Sequence, residues 1–263
     1  MPASQRHAVR LPRLVQGAPD GVPVVLLHGW SDSLHSFEPL LEHLPDGVRA
    51  HALTTRGHGD APRPDEGYDI ASLVGDVVAY LDEAGVERAI LAGHSMGSII
   101  ATSVALDAPQ RVSGLVLLAG KPTYGDPALD PIYDEVRAFG EPVDPAWVRG
   151  FQESTLARPV PDAFLETIVA ESLKLPARVW QALIDPALRI DRSQRLGEIA
   201  VPTLLAWGDA DEIATHEDQV ALLQALPDAR LHVYPGGGHA FHWEEPAVFG
   251  ADLVAFALEV ADR

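Results

Sequence analysis

Short apolar runs alternate with amphipathic stretches along most of this chain, and that rhythm constrains the fold more than any other feature. Val22–Leu27 (VPVVLL), Val48–Leu53 (VRAHAL) and Val112–Leu118 (VSGLVLL) read as strands, as do residues 88–92, 201–207 and 231–234. Ile70, Leu73, Val74, Val77, Val78 and Leu81 fall on one face of a helix, with Asp69 placed to cap it. Further helices are expected over residues 96–106, 215–226 and 246–260. Thr215 and Asp218 have capping-box spacing, and Pro246 stands in a first turn. Apolar strands without strict alternation are buried on both faces. Alternating strands and helices therefore predict a mostly parallel, doubly wound α/β sheet. Residues 7–16 are expected to add one or two antiparallel edge strands, a position that tolerates Pro12.

Residues 121–193 break the rhythm. They contain no clear strand, are rich in proline and charge, and hold seven of the 17 aromatic residues. They read as a helical lid inserted between sheet strands, which leaves residues 1–120 and 194–263 as the core. Ligands of such sheets bind outside the carboxyl ends of the strands, where this insertion emerges.

Composition removes several function classes. With 19 basic and 38 acidic residues the formal net charge is −19, which opposes binding to nucleic acid and to anionic membranes. The absence of cysteine excludes disulfides, thiolate metal sites and a cysteine nucleophile. No stretch approaches the roughly 20 apolar residues of a membrane span, and no signal-peptide pattern follows Arg6, Arg10 and Arg13. The expectation is a soluble, cytoplasmic protein without metal or cofactor, and a homodimer is compatible with it.

Chemistry concentrates at strand ends. Gly93-His94-Ser95-Met96-Gly97 joins a strand to a helix. The G-x-S-x-G pattern is weak alone, but in that context flanking glycines let neighbouring backbone pass close and leave the serine hydroxyl exposed at a helix N-terminus. A serine needs a base to take its proton. His239 follows the last strand through Pro235-Gly236-Gly237-Gly238, with His242 and His216 as competitors. The base needs an acid to fix its tautomer. Asp211 in Trp207-Gly208-Asp209-Ala210-Asp211 fits, with Asp209 and Glu212 adjacent. Backbone N–H groups of Met96 and Trp30 are placed to hold an oxyanion. Trp30, Met96, Tyr124, Tyr133, Trp147, Phe151 and Trp180 are candidate pocket walls. His239, His242, Glu244 and Glu245 read as an ordinary helix start rather than a metal cluster.

Five motifs in order, His28-Gly29-Trp30, Arg56-Gly57-His58-Gly59, the GHSMG turn, WGDAD and GGGHAFHWEEP, make the chain resemble the α/β-hydrolase superfamily over nearly its whole length. The resemblance implies a sheet of seven to eight strands, a helical cap after the sixth, no cofactor, and Ser95, Asp211 and His239 as nucleophile, acid and base. The chain departs from common family patterns at Thr54, Ala61 and Glu212, where many members have Asp, Ser and Pro. A serine nucleophile points to an acyl-enzyme, hence ester or lactone hydrolysis of a small, partly apolar substrate. C–C bond hydrolysis and cofactor-free perhydrolysis use the same triad. A slow-turnover small-ligand receptor is the alternative of another class.

Overall fold

The computed structural model describes residues 8–263. Its strands are β1 (Arg13–Gln16), β2 (Val22–Leu27), β3 (Val48–Leu53), β4 (Ala89–His94), β5 (Val112–Leu118), β6 (Thr203–Gly208) and β7 (Ala229–Tyr234). They form one sheet in the order β1-β3-β2-β4-β5-β6-β7. Only β1 runs antiparallel to its neighbour, and every other pair is parallel. The helices are α1 (Glu38–Leu41), α2 (Ile70–Ala84), α3 (Met96–Asp107), α4 (Asp130–Arg137), α5 (Pro145–Ser154), α6 (Asp162–Ser172), α7 (Ala177–Leu183), α8 (His216–Ala225), α9 (Phe241–Glu244) and α10 (Pro246–Ala261).

Successive side chains of a strand point to opposite faces, so a sheet covered on both sides must be apolar at consecutive positions. Val25, Leu27, Leu91, Leu115, Leu117 and Leu205 pack with α2 and α3 on one face. Val24, Leu26, Ile90, Ala92, Val116 and Leu118 pack with α1 and α10 on the other. The helix α3 is buried at every position from Met96 to Leu106 and has no polar face, because sheet and neighbouring helices enclose it.

Several ends differ from expectation for local reasons. The strand β4 runs on through Gly93 and His94, carrying the sheet up to the serine. The strand β6 starts at Thr203 because Pro202 has no N–H to donate to the ladder, although its carbonyl accepts from Leu115 at 2.9 Å. A single antiparallel strand, β1, forms at that edge among the described residues, and His7 lies outside them. Pro12 stands just before β1, where its carbonyl accepts from Thr54 at 2.9 Å.

The helices α4–α7 and short turns fill the connection from β5 to β6. This connection therefore leaves after the fifth described strand rather than the expected sixth, since one edge strand fewer precedes it. Thr123 and Asp191 pair as an isolated antiparallel bridge, so departure and return are joined at one point. Among the described residues no helix is long and apolar enough to cross a membrane.

Candidate active site

Ser95 joins β4 to α3 with φ 50° and ψ −116°, a conformation rare outside glycine. Close packing enforces it. A Cβ on Gly93 would lie 2.1 Å from the Gly97 carbonyl oxygen, and one on Gly97 would lie 2.1 Å from that of Leu27. Strand, turn and helix thus approach at distances that no side chain survives. The Ser95 N–H donates to the Leu118 carbonyl at 3.0 Å, and Ser98 Oγ donates to the Ser95 carbonyl at 2.6 Å. Met96 opens α3, so its N–H has no intrahelical acceptor.

Asp211 and His239 come from the loops after β6 and β7. Asp211 Oδ2 lies 2.9 Å from His239 Nδ1. Its Oδ1 accepts the N–H groups of Ile213 and Ala214 at 2.8 and 2.9 Å, which fixes the carboxylate in its turn. The Ile213 carbonyl is held in return by Lys121 Nζ at 2.8 Å, and Lys121 also pairs with Asp218 at 2.8 Å. Competing candidates stand apart. Asp209 is exposed and binds the Gly236 N–H, and Glu212 and His216 are exposed. His242 is buried behind the site with its ring centroid 4.4 Å from that of His94.

Ser95 and His239 line one cavity together with Trp30, Tyr124, Tyr133 and Phe151. The space open to the centre of a water molecule is about 60 Å³. A single water needs at least about 10–15 Å³ by that measure, so the enclosed space is small. Most of its wall is apolar, Leu129, Ile132, Leu188, Ile213 and Trp243 included, and Asp32, His94, Gln152 and Thr155 add polar groups to it. Met96, Trp147 and Trp180, expected at the wall, stand behind it. Met96 is fully buried at the helix start. Trp180 is fully buried with its ring 5.1 Å from that of Trp30. Trp147 stacks on Phe151 at 5.5 Å and donates its indole N–H to Glu135. These rings build the core of the insertion, so their size serves packing rather than contact with a ligand.

The only acidic side chain in the described wall is Asp32, and no lysine or arginine lines it. Asp32 is 2% exposed. Burial raises its pKa to about 7, against a smaller opposing pull from the Gln152 amide. His94 Nε2 lies 3.1 Å from the His239 carbonyl. A carbonyl only accepts, so that nitrogen carries the proton, and burial holds the ring neutral by driving its pKa well below 6.5.

Asp32, Gln152, Lys121 and His94, which lie in or around the cavity, are not among the sequence candidates. His94 sits inside the GHSMG turn, and Asp32 continues the loop begun by His28-Gly29-Trp30, so position was an available signal for both. Gln152 and Lys121 act over 120 and 92 residues of chain and carry no local signal. Glu244 accepts the N–H groups of Ala157 and Gly238, which fixes the loop before His239. Among the described residues no three His, Cys, Asp or Glu side chains are grouped to hold a metal ion.

A family model described as the alpha/beta hydrolase family matches residues 24–252. The chain belongs to that family. "Putative carbamate hydrolase RutD" of Variovorax paradoxus is 32% identical to this hydrolase over 263 residues, covering 94% of this chain and 96% of the relative. A 2-hydroxy-6-oxononadienedioate/2-hydroxy-6-oxononatrienedioate hydrolase of Cupriavidus pinatubonensis is 29% identical over 253 residues, covering 89% and 86%. The solved structure of esterase RhEst1 from Rhodococcus sp. ECU1013 superposes with a TM-score of 0.79 at 26% identity, over 95% of each chain.

Proposed function

We propose that this α/β hydrolase cleaves small carboxylic esters or lactones through an acyl-enzyme on Ser95. The observation that carries this reading is the placement of Ser95 and His239 in one cavity, with His239 Nδ1 held by Asp211 at 2.9 Å. His239 Nε2 takes the proton of Ser95 Oγ as that oxygen attacks the substrate carbonyl carbon. The N–H groups of Trp30 and Met96 receive the oxyanion. The tetrahedral adduct collapses as the carbonyl re-forms, the carbon–oxygen bond to the alcohol breaks, and His239 returns its proton to the departing oxygen. Water then loses a proton to His239 and attacks the acyl carbon. The second collapse releases the acid and restores Ser95.

Residues 121–193 act as the cap that shields this chemistry, over a core of residues 1–120 and 194–263. The cavity's small size favours short acyl groups. Its lack of lysine and arginine among the described lining residues disfavours doubly anionic substrates of the kind that the Cupriavidus relative's name describes. This supports ester or lactone over C–C cleavage, and a small neutral carbamate fits the same space. Fluorophosphonate labelling and turnover of p-nitrophenyl esters test it. Both should vanish in Ser95→Ala, and turnover should fall from acetate to octanoate. Tight ligand binding with labelling but almost no turnover would favour the receptor alternative.

A further inference from the structure

The helical insertion and the loop that carries Trp30 meet through one side chain. Gln152 of α5 is 1% exposed. Its Nε2 lies 3.0 Å from Ser31 Oγ, 3.0 Å from Asp32 Oδ1 and 2.9 Å from Ser172 Oγ of α6. An amide has two hydrogens, so three acceptors share them and all are drawn onto one nitrogen. Ser31 and Asp32 directly follow Trp30. Ser31 holds φ at 73°, one of three non-glycine residues with positive φ among those described. Such a conformation persists only where its surroundings over-determine it. Inside the loop one backbone bond, from the Asp32 N–H to the Gly29 carbonyl at 3.3 Å, closes the turn around Trp30. Gln152 grips the same turn from outside, through the two side chains next to Trp30.

We propose that Gln152 is a positioning residue that makes the oxyanion-binding orientation of the Trp30 N–H depend on the seating of the helical insertion. This rests on the roles given above to Ser95 and Trp30. When α5 sits down, the amide holds Ser31 and Asp32 and the Trp30 N–H faces the reacting carbonyl. When α5 lifts, the turn loses its outer hold and that N–H leaves the line of attack. Closure over a substrate and assembly of the oxyanion site are thereby one event. The N–H acts on the developing oxyanion and not on the ground-state ester, so its loss appears in kcat rather than in KM.

Gln152→Met keeps the length and volume of the side chain and removes the amide. It should lower kcat on p-nitrophenyl acetate by 10- to 100-fold, with KM within threefold of wild type. Loss of a single oxyanion donor in hydrolases sets an upper scale of about 10²–10³. A trifluoromethyl ketone, which adds to the serine as a tetrahedral oxyanion, should bind more weakly by the same factor as the fall in kcat. The matching methyl ketone should bind unchanged. A folded Gln152→Met protein with kcat within twofold of wild type overturns the proposal. So does a rise in KM with both ketones weakened equally, since Gln152 then only shapes the pocket. Should Gln152→Met not fold, Ser31→Ala decides, because it leaves α5 intact and removes one end of the clasp. At least a threefold loss of kcat at constant KM supports the proposal, and unchanged kcat overturns it. Wild-type protein that takes no fluorophosphonate label on Ser95 overturns the serine reading and this inference together. Labelled wild type with unaffected variants overturns this inference alone.

Discussion

Mild acid should destabilise this hydrolase steeply, because its fold encloses histidines that must stay neutral. Burial drives His28 down to about 4 and His242 to about 3, and it drives His58 and His94 well below 6.5. Burial with the nearby Arg49 and Arg13 guanidinium groups lowers His51 to about 4. In the unfolded chain each of these binds a proton near pH 6.5. A folded pKa below the unfolded value means that the unfolded state holds more protons between the two, so stability falls as pH drops through that window. Asp32 acts in the opposite sense, since burial raises it to about 7, and burial also raises Asp76. Five histidines against Asp32 leave a net uptake of about three to four protons on unfolding near pH 5.5. At 1.36 kcal/mol per proton and pH unit, stability falls by about 4–5 kcal/mol per unit below pH 6.5. A domain of ordinary stability, about 5–15 kcal/mol, loses a large share of it by pH 5. Urea melts at pH 7, 6 and 5, followed by circular dichroism, measure the slope. A stability that is flat over that range, or that rises toward pH 5, would refute the reasoning that these rings are held neutral. Replacing His242 by Phe, which removes one titrating ring, should flatten the slope by about one proton.

Asp211→Asn should lower kcat by about 10⁴ by offering His239 the wrong tautomer, with the thermal midpoint within a few degrees of wild type. Ester kinetics with a melting scan check both. Gly97→Ala should yield no soluble protein, since its methyl would meet the Leu27 carbonyl oxygen at 2.1 Å. Soluble, active Gly97→Ala would show that the turn can open. Phe151→Ala should enlarge the cavity and move the best p-nitrophenyl ester from acetate toward hexanoate, read as kcat/KM across the chain-length series. Lys121→Met should free the Ile213 carbonyl and lower kcat by roughly tenfold, because the acid loop loses its outer tether.

The sheet was legible in the sequence because burial on both faces writes itself as consecutive apolar residues, and the GHSMG turn because close backbone approach demands glycine. Asp69, Thr215 and Pro246 marked helix starts through capping chemistry that acts within three residues, and all three stand where that chemistry places them. The insertion was legible only as a break in the pattern. Its aromatic residues divide between wall and core by three-dimensional packing, so Phe151 and Trp147, four residues apart on α5, could not be told apart by type. Gln152 was invisible for the same reason. Its partners at Ser31 and Asp32 are far away in sequence, and a glutamine beside a phenylalanine looks like any exposed helix position. His28 and His94 stand in motifs that the sequence shows, but only the fold reveals that both rings are buried.

The pairing of Thr123 with Asp191 gives the insertion a single doorway. A segment that leaves and re-enters a sheet through one paired point can be exchanged for another without redrawing the layer beneath it. Much of what sizes the cavity from above then becomes a replaceable part, while the serine turn keeps its geometry from the strands and the acid and histidine loops keep theirs as long as Lys121 and the Ala157 N–H stay in place. Selection for a new substrate has a short route through such a molecule. It can vary the roof, provided that the holds on the acid and histidine loops survive and that whatever replaces α5 still offers the turn after Trp30 something to hold.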